Sequence, residues 1–473
     1  MTRANLHRRA PARGRANVAN DTTRLAGTPV FWLSAALLTL AFVFGGASRE
    51  NPISTMAIEL LGVTLLAATV WSRALAGAGR VGWPETALLG GIFLVPLLQL
   101  MPLPPDMWTT LPGRQEAVAT LRLAGIEPGW APLSLDPEAT FRSLLWLVPP
   151  AALFLAVGDL DTGARFRLAG VVLALCIASL VLGGLQITDR DGGLFASPTG
   201  GHTDLPIGFF ANRNHQGIAM VAALPFAAAF AAIWGSTASQ RTRAANIVFA
   251  ALVALLIVGV LVTRSRAALA LAGPALIASI VIFWAASGVR GLRREAALMI
   301  GAAAVALIFA AQFAISAVFD RFETLADGDA RFEMWPSIIK ASTDVAPVGA
   351  GLGAFVPFYR AWEPLDLMGP NFINHAHNDY LELWLETGWL APFVLVAFLL
   401  WLGRASLKAW SGAPTQSTAL ARAGGVAVVV LLAHSVGDYP LRTQALACVL
   451  AFAAACLTVR QRPPHPVEVR AVM

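Results

Sequence analysis

Residues Ala245 to Ala285 read ANIVFAALVALLIVGVLVTRSRAALALAGPALIASIVIFWA, two apolar runs joined by Thr263-Arg264-Ser265-Arg266. Each run approaches the ~20 helical residues needed to cross about 30 Å of hydrocarbon. Two arginines in a tight turn between two spans are confined to a membrane boundary. Ser265 is placed to cap the second helix, which puts Arg266 in its first turn. A cation there opposes the helix dipole by about 0.3–1 kcal/mol. An anion in the same place would offset that cost, since helix N-termini and guanidinium forks both suit phosphate or carboxylate. The alternative is plain snorkelling toward lipid head groups.

Outward from this pair, the whole chain follows the same pattern. Of 473 residues, 57% are hydrophobic and 13% charged, and the mean hydropathy is +0.65. Soluble domains carry about 25% charge, so the composition points to a polytopic membrane protein. Apolar segments of spanning length fall near 29–46, 56–72, 83–101, 141–158, 166–187, 215–234, 245–262, 267–285, 295–318, 383–403, 419–437 and 440–459. The expected fold is all-α, with about twelve transmembrane helices and a long loop between spans nine and ten. Residues 1–28, with Arg3, Arg8, Arg9, Arg13, Arg15 and Arg24, read as a disordered basic tail. The run after them exceeds a signal-peptide core and reads as an uncleaved anchor.

The positive-inside rule orients the bundle. Arg73, Arg80, Arg165, Arg167, Arg241, Arg243, Arg290, Arg293, Arg294, Arg404 and Lys408 fall on the side of the basic tails. Both termini are therefore expected in the cytoplasm. The organisation is a tail at 1–28, spans one to nine over 29–318, an outer loop at 319–382, spans ten to twelve over 383–459, and a tail at 460–473. The basic net charge of +6 comes without a basic, aromatic-interleaved stripe, so nucleic acid is not an expected partner. Cys176, Cys448 and Cys456 all lie in apolar runs and form neither a disulfide framework nor a metal spacing.

The outer segments carry the chemistry. Asp136-Pro137-Glu138 reads as N-cap, first position and acidic first turn of the fourth span. Asn212 and Asn214 precede the sixth, either as hydrogen-bonding groups for a ligand or as caps. Phe332, Trp335 and Ile339 recur at helical spacing, which predicts an amphipathic helix along the membrane surface with Arg331 near its start. Gly349-Ala350-Gly351-Leu352-Gly353 follows no strand, so it reads as a flexible turn rather than a nucleotide loop. The densest polar cluster is His375-Ala376-His377-Asn378-Asp379-Tyr380-Leu381-Glu382-Leu383-Trp384-Leu385-Glu386-Thr387-Gly388. If it is helical from Asp379, Asn378, Glu382 and Glu386 share one flank. His375 and His377 lack a third ligand at useful spacing, and a histidine beside Asp379 or Glu382 suits general-base work near neutral pH better than metal binding. Near the C-terminus His434, Asp438, Tyr439 and Arg442 lie at bundle depth and read as support for the site.

Asn212-Arg213-Asn214-His215, Ser265-Arg266-Ala267, Arg331 with Trp335, and His377-Asn378 followed after nine residues by Gly388 resemble the O-antigen ligase and polymerase superfamily. Pro132 to Thr140 and His434 to Arg442 resemble segments of its exopolysaccharide-associated members. The resemblance implies a GT-C-like, inverting, metal- and cofactor-independent glycosyltransferase of the bacterial inner membrane. Its site would face the periplasm, with a glycan on undecaprenyl diphosphate as donor. It implies His377 as general base, with Arg266 and Arg331 holding the diphosphate. Arg264, Asn212, Asn214, His375, Asn378 and Asp379 are the expected substrate-binding residues around them. Ala391 stands three after the glycine, where the family usually has a small or aromatic residue. The acceptor would be lipid A-core in a ligase, or another lipid-linked repeat in a polymerase, with membrane lipids as surroundings. A transporter of lipid-linked glycan is the reading from another class. It fits less well, because the polar groups gather at one face and no internal repeat shows.

Overall fold

The computed structural model describes residues 13–47, 51–76, 81–188, 195–199, 206–235, 241–287, 330–368 and 373–458. The expected ninth span, 295–318, lies outside these, as do residues 1–12 and the tail 460–473. Nearly everything described is helical. The chain opens with α1 (Arg13–Phe44), α2 (Pro52–Ala76) and α3 (Trp83–Gln99), followed by the short α4 (Pro105–Trp108) and α5 (Gln115–Leu123). Next come α6 (Pro137–Trp146), α7 (Val148–Asp159), α8 (Thr162–Thr188), α9 (Arg213–Gly235), α10 (Arg241–Thr263) and α11 (Arg266–Ser287). After the undescribed stretch stand α12 (Ala330–Asp344), α13 (Phe355–Tyr359), α14 (Asp379–Thr387), α15 (Leu390–Ser411), α16 (Gln416–His434) and α17 (Gln444–Leu457). The strands are two-residue pieces, β1 (Pro102–Leu103) and β2 (Ala131–Pro132), paired antiparallel.

Among the described residues eight helices are long and apolar enough to cross a membrane, with α6 and α7 forming one of them, and α1 and α17 contribute shorter apolar stretches. The pattern is that of an all-α polytopic membrane protein. Helix α1 already begins at Arg13, inside the stretch read as disordered. Ala and Arg are good helix formers, and propagation from an established helix needs no new nucleus.

Helix α9 is the axis of the bundle. From Asn214 to Ile233 every residue except Phe230 is buried, and α8, α10, α11 and α16 pack around it. Its run of alanines explains this, because small side chains let neighbouring backbones approach closely. Helix α15 is the opposite case. It packs on α3 and α16 and leaves Phe393, Val396, Leu399, Leu400 and Leu407 exposed, as a lipid-facing helix must.

The expected span over 383–403 is interrupted. Helix α14 ends at Thr387, and the chain turns at Gly388 (φ 59°, ψ −137°) before α15 starts. A side chain at Gly388 would collide with the Pro347 carbonyl, and its positive φ disfavours any L-residue. The last expected span also starts later, because Pro440–Arg442 forms a 3-10 turn ahead of α17.

A second, smaller core sits apart from that of the bundle. Met334, Ile338, Ala341, Val345, Ala350, Ala354, Phe355, Tyr359, Ala376 and Leu385 form it. Helix α12 thus turns Met334, Ile338 and Ala341 onto α14, whereas Ile339 is 42% exposed. Its buried face is offset by one residue from the Phe332–Trp335–Ile339 stripe read in the sequence. The glycine-rich segment is no flexible turn. The amides of Ala350 and Gly351 donate to the Leu385 and Glu386 carbonyls at the end of α14, at 2.9 and 2.8 Å. Gln99 Nε2 donates to the Glu386 carbonyl (2.8 Å) and Arg114 Nη2 to that of Gly349 (2.9 Å). These bonds clamp α14 to the loops that follow α3 and α12.

Candidate active site

The polar cluster read in the sequence divides into two charge centres, joined by the turn from Asp438 to Arg442. The first centre is Asp438. Asn214 Nδ2 donates to its Oδ2 at 2.7 Å, and the Tyr439 amide donates to its Oδ1 at 2.9 Å. Three imidazoles stand around the same carboxylate: His215 Nε2 and His377 Nδ1 each 3.6 Å from Oδ1, and His434 Nε2 3.8 Å from Oδ2. These are ion-pair distances, longer than hydrogen bonds. Burial alone would raise the Asp438 carboxyl, but the His215 and His377 imidazoles, with His434 behind them, hold it well below the usual carboxylate range.

The Tyr439 ring organises the imidazoles. It meets His215 edge-on at 5.0 Å and His377 edge-on at 4.8 Å, and lies against His375 at 4.3 Å between ring centroids. His377 adopts a left-handed conformation, φ 47°. This is a strained state for a side-chain-bearing residue, and such states gather where function demands them. Arg264 (φ 51°) is the other such non-glycine residue among those described. Together these constraints hold Nδ1 of His377 toward Asp438, while 20% of the side chain stays accessible.

The second centre inverts the charges. Arg442 Nη1 is 2.9 Å from Glu386 Oε2, and its Nε is 3.4 Å from Glu382 Oε1 and 3.7 Å from Asp379 Oδ1. Asp379, Glu382 and Glu386 follow at spacings of three and four, so they share one face of α14. Asp379 rather than Asn378 completes the acidic flank. Burial would raise Glu382, but Arg442 and His375 bring its carboxyl down to about 2. For Asp379 and Glu386 burial prevails over Arg442, and each is pushed up to about 7. Burial works against the Arg442 charge too, yet the three carboxylates hold it above its ordinary value.

The expected site residues distribute unevenly over this frame. His377 and Asn214 meet at Asp438. His375 Nδ1 pairs with Glu382 Oε1 at 2.8 Å. Asp379 accepts from Ser435 Oγ (2.7 Å) and the Leu441 amide (3.2 Å), which ties α14 to the end of α16. Asn378 has a structural part in this frame. It is the N-cap of α14, its Oδ1 accepting from the amides of Tyr380 and Leu381 at 3.0 and 3.1 Å. Asn212 likewise holds a backbone amide, that of Asn214, at 2.8 Å.

Ser265 caps α11 through the Ala268 amide (3.4 Å), with the exposed Arg264 and Arg266 on either side of it. Thr263, Ser265 and Ala268 close over Gly217, two residues after His215. The arginine turn is thereby seated at the same end of α9 as the Asp438 centre. Arg331 is in the first turn of α12, and its side chain lies outside the described residues. Asp438, Arg442 and His434 are more central than their supporting role in the sequence implied, and His215, given no role there, joins them. The signal was the run His434-x3-Asp438-Tyr439-x2-Arg442, ionisable residues packed between two apolar helices.

Among the described residues no group of three or more His, Cys, Asp or Glu side chains is arranged to hold a metal ion. What the Asp438 centre offers is an imidazole oriented by a buried carboxylate, a geometry suited to taking a proton from a hydroxyl.

Residues 250–396, from α10 into α15, match the family described as O-antigen ligase. The matched stretch includes Arg264, Arg266, Arg331, His375, His377 and the acidic face of α14. No curated protein matches the chain.

Proposed function

We propose, for a chain whose residues 250–396 match the family described as O-antigen ligase, that it is a membrane glycosyltransferase acting as an O-antigen ligase at the periplasmic face of the inner membrane. The donor is a polysaccharide on undecaprenyl diphosphate, and the acceptor is a hydroxyl of lipid A-core or a similar glycolipid. His377 removes the acceptor proton as the oxygen attacks the anomeric carbon. The bond from that carbon to the diphosphate breaks with inversion, and the diphosphate leaves with the bonding electrons. Arg266 and Arg331 stabilise the charge that develops on it. Asp438 keeps the His377 ring turned so that Nδ1 faces the carboxylate and Nε2 is left for the hydroxyl.

The observation that carries this reading is His377 itself. It combines a left-handed backbone, a buried Nδ1 at 3.6 Å from Asp438 and an accessible remainder. A structural histidine needs no such strain. The experiment is product analysis in cells lacking the gene. A ligase leaves bare core with accumulating lipid-linked polymer, and complementation with His377→Ala leaves that state unchanged. Core carrying a single repeat would instead identify a polymerase that joins lipid-linked units. Full restoration by His377→Ala would overturn the base assignment.

A further inference from the structure

Four consecutive residues at the start of α9 reach three different parts of the molecule. Asn214 Nδ2 donates to Asp438 Oδ2 at 2.7 Å, and His215 Nε2 stands 3.6 Å from Oδ1 of the same carboxylate. Gln216 Oε1 accepts from Ser179 Oγ of α8 at 2.7 Å. Gly217 meets the arginine turn. A methyl group there would lie 2.8 Å from Ala268 Cβ, 2.9 Å from Thr263 Oγ1 and 3.3 Å from Ser265 Cβ. Successive helical residues point in different directions, so one turn of α9 touches the Asp438 centre, α8 and the arginine turn together.

The two sides of the Gly217 contact differ in how firmly they are held. Asn214, His215 and Gln216 are all buried. Ser179 Oγ, besides donating to Gln216, accepts from the Phe209 amide at 3.0 Å. Gln186 Oε1, also on α8, accepts from the Ile207 and Gly208 amides at 3.2 and 2.9 Å. The start of α9 and the loop ahead of it are thus pinned to α8 and to Asp438. The backbone of the arginine turn is held by local bonds. The Arg264 amide donates to the Leu261 carbonyl (3.1 Å), that of Ser265 to Thr263 Oγ1 (3.3 Å) and that of Ala268 to Ser265 Oγ (3.4 Å). Arg264 and Arg266 are exposed, and Arg264 is left-handed. Ala268 Cβ is attached to the backbone and has no rotamer by which to move aside. A side chain at position 217 would therefore be accommodated by a shift of the start of α11, whose first residue is Arg266.

We propose that Gly217 is a positioning residue. By bearing no side chain it seats the arginine turn on the same helical turn that carries Asn214 and His215, and so fixes where Arg266 stands relative to Asp438 and His377. That this is the place the donor diphosphate needs rests on the transferase reading; the seating does not.

The test uses the full-length protein in lipid nanodiscs, with amide hydrogen exchange read by mass spectrometry. Gly217→Ala is expected to speed exchange about tenfold in peptides spanning Leu261 to Leu269, and to leave peptides spanning Ala376 to Thr387 as in the wild type. Its affinity for undecaprenyl diphosphate should fall about tenfold, whereas undecaprenol, the same chain without the diphosphate, should bind both proteins alike. Ala268→Gly added to Gly217→Ala removes the closest collision. Measured against Ala268→Gly alone, the double variant should recover both slow exchange and diphosphate affinity. Should Gly217→Ala not assemble, Ala268→Ser crowds the same contact from the other side by one atom and should act in the same direction. Unchanged exchange in the arginine turn, or a double variant no better than Gly217→Ala, would overturn the proposal. So would equal losses of affinity for undecaprenyl diphosphate and undecaprenol, the mark of a general loosening. Exchange as expected, with diphosphate affinity unchanged in both Gly217→Ala and Arg266→Ala, would leave the seating standing and remove the diphosphate reading.

Discussion

Asp438 and Arg442 are separated by one turn of chain, and their surroundings are mirror images in charge. Asp438 is a single carboxylate among three imidazoles and an amide; Arg442 is a single guanidinium among three carboxylates. The neighbours make the difference. Imidazole is the side chain best suited to proton transfer near neutral pH, and here a buried carboxylate orients one that stays accessible. Carboxylates around a largely buried arginine are a lock, because removing the central charge leaves like charges facing one another in a low-dielectric site. The Asp438 centre is therefore assigned to chemistry and the Arg442 centre to holding α14, the α16 end and the last turn together.

The sharpest way to break this division is Arg442→Ala. Removing the guanidinium should destabilise the fold by about 3–5 kcal/mol, the cost of unpairing buried charges, and a melting curve in detergent or nanodiscs reads it directly. Little change would show that the carboxylates manage without it. Asp438→Asn tests the other half. It keeps the shape and an acceptor for Asn214, so the melting temperature should hold while kcat falls by about 100-fold, at the lower end of what a positioned acid or base contributes. A fall in stability with kcat intact would reverse the assignment.

A smaller effect concerns the titrating carboxyls. Asp379 and Glu386 are raised to about 7 in the fold, so their protonated forms favour the folded state. Their contribution is fully present below the ordinary carboxylate pKa and is lost as pH rises through about 7. The melting temperature should therefore drop between pH 5 and pH 8, by a few degrees, and Glu386→Gln should flatten that drop. Glu382 acts oppositely: lowered to about 2, it contributes stability above its ordinary pKa that disappears as pH falls toward 2. The smallest expected change is Asn378→Ala, which removes the α14 cap at a cost of about 1 kcal/mol. A larger loss of activity than of stability there would give Asn378 a role beyond the cap.

Much of this architecture was legible in the sequence, and the exceptions have physical causes. Spacing and capping chemistry are local, so the Thr263–Arg266 turn, the Asp136 cap of α6 and the Ser265 cap of α11 could be read directly. The break at Gly388 was hidden because the apolar run continues through it; only the collision with the Pro347 carbonyl reveals why the helix must stop. The acidic flank was displaced by one residue, since Asn378 is used as a cap and Asp379 takes its place. The Asp438 centre was least legible. His215, His377 and His434 come from α9, the loop before α14 and the end of α16, and only tertiary packing unites them. A histidine four residues before an aspartate, between two apolar helices, marked the place without revealing which imidazole it would serve.

The most direct test of the account is turnover of undecaprenyl-diphosphate-linked glycan by purified His377→Ala in nanodiscs, measured beside its melting temperature and donor binding. The expected result is a fall in kcat of about 10²–10⁴-fold, with melting and donor affinity unchanged and partial recovery on adding free imidazole. Wild-type turnover by a folded His377→Ala protein would contradict it.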